Sequence, residues 1–421
     1  MKQLAFVLRQ VAYDLQSGLL FRPGAILLGC AGLALGLPPA EREFLPALSA
    51  RLATEPSTAQ VVLSTLAGSM MTVVSVVYSI LLVALSLASM QFSTRVLALL
   101  MRDRVSQNTL GLFVGTFVYC LLTLRTVHTE PAYVPGVALG LGLALALGSL
   151  AALVYFIHHI VRGIQANHLV DRIATETEAV IDEVFVAAWD GRGEATVPSL
   201  EGDDVLSATS GYVQLVNVEG LRALATGGRT IVLLRPMGSF VPEGAALFRV
   251  TSPVSEAEAE ALRGAIDVGP VRTMQQDVEY GIRQIVDVAL KAISPAVNDP
   301  STAATCIDHL SRLLVRVGPR AAPPIDHGGV YVPAPTHGDL VDLAFEQIRQ
   351  YARSDMAVAL RLMRAFGDIA GAMRSPAGLA RVEAQARLVE AAARAHFAPE
   401  ECDELARRRA VVASRCERAA R

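Results

Sequence analysis

Hydrophobic positions along this chain follow two regimes. Through about residue 160 they form long runs with almost no charge. Beyond that they recur at helical or alternating spacing among charged residues. Four runs are candidates to cross a bilayer: about residues 23–37, 58–90, 109–125 and 133–158. The second carries the most information. At about 100° per residue, Ser64, Thr65, Thr72, Ser75, Ser79, Ser86 and Ser89 fall within an arc of roughly 120°, joined by Gly68. Val62, Leu66, Met70, Val73, Val77, Leu81 and Leu85 take the opposite face. From Ser64 to Ser89 the stripe runs about 37 Å at about 1.5 Å per residue, the depth of a membrane. Such a face is either the wall of a wet path or a close-packing seam. Ser64, Gly68, Thr72, Ser75, Ser79 and Ser86 are the pore-lining candidates.

Ahead of the first run, Leu4, Val7, Leu8, Val11, Leu15 and Leu19 alternate with Lys2, Arg9, Asp14 and Gln16. This spacing predicts an amphipathic helix on the membrane surface over residues 1–22. The alternative is a leader with its apolar core at Ile26–Leu37, cleaved near Ala40. Lys2, Arg9 and Arg22 precede span one; Arg95, Arg102 and Arg104 lie between spans two and three; Arg162 and Arg172 follow span four. The basic residues therefore predict a multi-pass protein of the bacterial inner membrane with both termini in the cytoplasm. Arg95, Arg102 and Arg104 become candidates for an inner mouth.

Gly32 and Gly36, Gly111 and Gly115, and Gly136 and Gly140 form GxxxG pairs in three spans, which predicts a tightly packed bundle within one chain or between copies. The four spans hold no Asp, Glu, Lys or Arg before their ends, which argues against an ion-coupled carrier. His158 and His159 close span four and point about 100° apart. They are interfacial residues or a pH-sensing contact rather than a chelating pair.

Beyond span four the pattern predicts a connecting helix over 161–190, a small β module over 200–252 and a helical part over 253–421. Gly238, Val241, Gly244 and Leu247, spaced by three, resemble the hairpin of biotinyl/lipoyl-type barrels, but no lysine stands where a cofactor would attach. Helices are expected at about Ser255–Ala265, Gln276–Ser294, Thr302–Val317, Asp339–Tyr351, Asp355–Met373, Pro376–His396 and Pro399–Arg418. Arg283, Asp287 and Lys291 step by four along one of them, as an ion-pair ladder or a polar contact between copies. Residues 318–335, rich in proline, read as a loop.

With 52% hydrophobic residues the chain is too apolar for a soluble protein of its length, and a net charge of −3 offers nothing to nucleic acid. Cys30, Cys120, Cys306, Cys402 and Cys416 have no metal-ligand spacing. No phosphate loop, nucleophile elbow or zinc-protease motif is present, so an enzyme is the class with least support, and neither cofactor nor metal is expected.

Residues 272–304 (RTMQQDVEYGIRQIVDVALKAISPAVNDPSTAA) resemble the bacterial predicted membrane proteins grouped as domain of unknown function 2254. Residues 86–95, 117–125 and 156–160 extend the resemblance over most of the chain. It implies a membrane region followed by a cytoplasmic one and brings no activity. The expected fold is a mainly α membrane protein. A four-span transmembrane helical bundle (23–160) is joined to a cytoplasmic α+β domain with a small β-barrel-like module and a helical C-terminal part. The expected function is a homo-oligomeric ion channel or pore. Its partners would be membrane lipid, further copies of the chain and small ions. The alternative is a membrane-anchored sensor or scaffold.

Overall fold

The computed structural model describes residues 21–91, 103–130, 133–163, 165–185, 187–191 and 197–420. The helix expected over 1–22 falls almost wholly outside them. The chain divides into two compact units, Met1–Gln165 and Ala166–Arg421.

The first unit holds α1 (Phe21–Phe44), α2 (Pro46–Leu52), α3 (Pro56–Gln91), α4 (Arg104–Leu124) and α5 (Gly136–Gly163). The four longer helices are long and apolar enough to cross a membrane. Helix α4 is the most enclosed, packing on α1, α3 and α5. Its sequence gives it three contact faces. Gly111 and Gly115 admit α1: a Cβ at Gly111 would stand 2.8 Å from Pro23 Cα, and one at Gly115 2.8 Å from Cys30 Sγ. Leu110 and Phe113 join Val74 and Val77 of α3 and Phe156 of α5. Tyr119 and Cys120 complete a second core with Leu63, Ala67 and Leu139. Asp103 starts the helix, accepting from the Ser106 N–H at 2.9 Å.

Span one departs from its expected end at residue 37. Helix α1 continues through Pro38 and Pro39 to Phe44. The apolar run stops, but Glu41 in the added turns is fully buried and hydrogen-bonded, which holds the extension in place. The short α2, between spans one and two, begins with Pro46 at its first position, where a missing N–H costs nothing. It packs on the start of α5, where only glycine fits: a Cβ at Gly136 would collide with the Ser49 carbonyl.

The second unit is α+β. It begins with α6 (Ala166–Val184), then β1 (Asp203–Leu206), β2 (Gly211–Val216), α7 (Val218–Leu224), β3 (Ile231–Leu233), β4 (Phe240–Val241), β5 (Ala246–Val250), α8 (Glu256–Arg263) and β6 (Ile266–Gly269). Then follow α9 (Val278–Ala292), α10 (Pro300–Val317), β7 (Val330–Tyr331), α11 (His337–Tyr351), α12 (Met356–Ala372), α13 (Pro376–Ala393) and α14 (Pro399–Ala419). The helices of the 253–421 region stand close to their expected positions.

The β module is not a closed barrel among the described residues. It forms a four-stranded sheet, β1-β5-β3-β7, and a three-stranded sheet, β4-β2-β6, around one apolar core that includes Val213, Leu221, Ile231, Leu247 and Phe248. Short strands beside Pro236 and Pro242, and register breaks at Val205/Leu206 and Val213/Leu215, prevent a continuous ladder. Strand β2 stops at Val216, because Asn217 caps α7 by accepting from Gly220 N–H. The proline-rich segment contributes β7, parallel to β3, with Ile231 opposite Val330.

Among the helices, α9 packs on α6, α10 and α11, and α10 also contacts α6 and α12. Gly281 of α9 lies against Thr177 of α6 so closely that a Cβ there would collide with the threonine hydroxyl. The α6–α10 face is lined by ions: Arg312 with Asp171 (2.9 Å) and Glu178 (2.6 Å), Arg316 with Asp182 (2.5 Å), and Arg320 with Asp182 (2.7 Å).

Candidate functional site

Helix α3 sorts its two faces as its sequence does. Leu63, Ala67, Met70, Val74 and Val77 are buried, while Val62, Leu66, Val73 and Leu81 pack around them. On the other side Ser64, Thr65, Gly68, Thr72, Ser75, Ser79 and Ser86 are all exposed. Among the described residues the stripe lies outside the packed interior of the bundle. Among the described residues, nothing beyond its own stretch of helix lies within 4 Å of where a Cβ of Gly68 would be.

The hydroxyls turn back onto their own helix. Ser64 donates to the Val61 carbonyl (3.0 Å), Thr72 to Gly68 (3.3 Å), Ser75 to Met71 (3.1 Å) and Ser79 to Ser75 (2.9 Å). Each donor is thereby satisfied without a neighbour, and each oxygen keeps acceptor capacity that faces outward. In hydrocarbon that capacity goes unused; against water or a second polar face it is filled.

Of the inner-mouth candidates, Arg95 and Arg102 lie outside the described residues. Arg104 is the first residue of α4 and is exposed. The two histidines separate. His158 is exposed, whereas His159 is half-buried with Nε2 3.1 Å from Asp103 Oδ1 and its ring stacked on Tyr155. Burial pushes the Asp103 carboxyl up, but the Ser106 amide and hydroxyl and the His159 ring outweigh it and hold the carboxyl below its ordinary value. The contact ties the start of α4 to the end of α5.

Sequence reading missed the polar cluster at the other end. Glu41, in the stretch between spans one and two, has no exposure. Its Oε1 accepts from Ser49 (3.1 Å) and Tyr133 (3.3 Å), and its Oε2 from the Ala138 N–H (3.0 Å). Ser49 in turn accepts from Gly136 N–H at 3.1 Å. A glutamate one turn beyond an apolar run, followed by a loop serine, was the signal. Spacing alone could not join residues 41, 49 and 133. Among the described residues no group of three or more His, Cys, Asp or Glu could hold a metal ion.

In the second unit, Arg283 and Asp287 pair at 3.3 Å, one rung of the expected ladder. More consequential is Arg272, which grips Asp277 through two bonds of 2.6 and 3.0 Å. Asp277 also accepts from Tyr280 N–H at the start of α9 (2.9 Å). Gly238, at φ +74°, seats its turn over this pair, and a Cβ there would strike both side chains.

The family model described as predicted membrane protein (DUF2254) matches residues 16–368. An uncharacterized protein of Mycobacterium bovis is 34% identical over 405 residues, covering 90% of this chain and 78% of the relative. An uncharacterized protein of Mycobacterium tuberculosis aligns with the same identity and coverage. No solved structure matches the chain. With the family model covering most of its length and four membrane-spanning candidates in its first unit, this chain belongs to the DUF2254 family of predicted membrane proteins.

Proposed function

We propose that the protein is a homo-oligomeric channel or pore of the bacterial inner membrane. The outward hydroxyl face of α3 lines a path enclosed by several copies of the chain. The observation that supports this is the arrangement of α3 itself. One face of it packs into its own bundle, and Ser64, Gly68, Thr72, Ser75, Ser79 and Ser86 are left exposed, beside the exposed apolar residues Val61, Met71, Val76, Tyr78, Leu82 and Val83. A single four-helix bundle fills its interior with side chains, so a path lined by one helix requires a ring of subunits. The small, self-bonded hydroxyls would leave such a path narrow, weakly polar and free of fixed charge. Small ions are its natural cargo.

In this reading both termini lie in the cytoplasm, following the basic residues Arg104 and Arg162 at one end of the bundle. The second unit then lies inside the cell, where it assembles or gates the path. If Arg104, exposed at the start of α4, faces the axis, it biases the inner mouth toward anions. No catalytic role is assigned to either unit.

The bonding of Ser75 and Ser79 to their own carbonyls favours a second reading, in which the face stays dry and the protein anchors a sensor or scaffold. Planar-bilayer recordings of the purified protein separate the two. Under the channel reading, Ser75→Leu with Ser79→Leu abolishes conductance while the oligomer persists. Unchanged conductance in that variant removes the stripe from the mechanism.

A further inference from the structure

Gln107 of α4 is 2% exposed, and neither its Nε2 nor its Oε1 has a hydrogen-bond partner among the described residues. An amide in that position forfeits the bonds it would make in water at both ends, and buried polar groups of native proteins are supplied with a partner. Its surroundings differ on its two sides. One turn deeper along α4 stand Leu110, packed with Val74, Val77 and Phe156, and Gly111, covered by Pro23 and Ile26 of α1. Their side chains offer no polar group. One turn the other way stands Asp103, the cap of the helix.

Asp103 has capacity to spare. Its Oδ2 accepts from both the Ser106 N–H (2.9 Å) and the Ser106 hydroxyl (2.7 Å), whereas its Oδ1 has His159 Nε2, at 3.1 Å. An ionised carboxylate takes about four donors, so one lone pair of Oδ1 remains. The Asp103 side chain is 14% exposed and that of His159 33%, so this side of Gln107 opens toward the end of the span.

The unfilled positions define what can bind. A cation would satisfy the Gln107 Oε1 and the carboxylate but leave Nε2 donating to nothing. An anion would take Nε2 and face Asp103. A neutral molecule that both donates and accepts fills all three positions, and the small exposure of Gln107 restricts entry to a small one.

We infer that Gln107 is the floor of a hydrated notch, one turn deep, where α4 begins, and that the notch holds at least one ordered water. Water there accepts from Gln107 Nε2, donates to the free lone pair of Asp103 Oδ1 and donates to Gln107 Oε1. It ties Gln107 to the Asp103–His159 contact and so reinforces the join between the start of α4 and the end of α5. The notch is not a passage, because Leu110 and the contact of Gly111 with Pro23 close it above. Deeper in the bundle the buried Thr116 and Ser149 hydroxyls bond each other at 3.2 Å and need no water. The site is separate from the exposed face of α3 and does not depend on the pore reading.

The test is water-edited solid-state NMR of the full chain in lipid bilayers, uniformly labelled with heavy nitrogen, with the Gln107 side chain assigned through its own backbone amide. Magnetisation from water is expected to reach Gln107 Nε2 well ahead of the Thr116 backbone amide. Arrival no earlier than at Thr116 overturns the notch. Thermal melting of Gln107→Met, a side chain of similar length, gives a second readout in the same lipid. A hydrated amide gives up bonds to water on this change, so Tm should hold or fall. A dry, unpaired amide is relieved by it, so a rise in Tm overturns the inference.

Discussion

Replacing Arg272 with methionine isolates the energetics of the second unit's most buried ion pair. The Asp277 side chain is 2% exposed and would keep only the Tyr280 amide as a partner. Breaking a buried pair by removing one member costs about 3–5 kcal/mol, because the surviving charge stays desolvated. Arg272 is itself 25% exposed, so water already screens the pair. The low end, about 3 kcal/mol, is therefore expected. With a urea slope of about 1–3 kcal/mol/M, the unfolding midpoint should drop by about 1 M or more. Trp189, the chain's one tryptophan, sits edge-on to His337 in the same unit and reports the transition by fluorescence. A double variant, Arg272→Met with Asp277→Asn, removes the stranded charge and retains a side-chain oxygen for the helix start. It should recover to within about 1 kcal/mol of the native chain. A single variant as stable as the native protein, or a double no better than the single, refutes the reasoning.

Other outcomes follow from close contacts and exposed charges. Gly281→Val drives a branched side chain into Thr177 and should cost about 1–3 kcal/mol in the same assay. Gly115→Val should disrupt the first unit by displacing Cys30, whereas Gly36→Val, with open space around it, should leave the monomer's fold intact; thermal melts in detergent compare them. Asp182 is held at about 2 by the Arg316 hydrogen bond first, against weak burial, with Arg320 adding to it. A lowered carboxylate stabilises above its unfolded value, so the α6–α10 contact should weaken as pH falls from about 4 toward 2. Asp182→Asn should flatten that dependence, and high salt should shrink it, as read by melting against pH.

The spans and both faces of α3 were legible because burial in lipid or in a bundle imposes long-range periodicity on sequence. Met70 and Val77 were placed opposite the hydroxyl stripe by angle alone, and both are buried; which face packs was not legible. The end of α1 was not legible. Hydropathy ends at Leu37, and what carries the helix to Phe44 includes a tertiary bond from Glu41 to residues more than ninety positions away. The same limit hid the α6–α10 ladder. Arg312, Arg316 and Arg320 step by four, as do Glu178 and Asp182, and opposite stripes of that kind are a usable signal once two helices are suspected to pair. Strand β7 left almost no trace, since two residues flanked by proline-rich loop carry no period. The resemblance to lipoyl-type hairpins identified strand and turn positions correctly. It overreached on closure, which depends on register rather than on glycine spacing.

What the hydroxyl face of α3 meets separates a pore from an anchor. A cryo-EM map of the full-length protein in lipid nanodiscs tests it most directly. A channel of this kind shows a symmetric ring with Ser75 and Ser79 facing a water-filled central axis. A monomer or an assembly in which those residues face lipid, or lie sealed against a neighbouring helix, would contradict it.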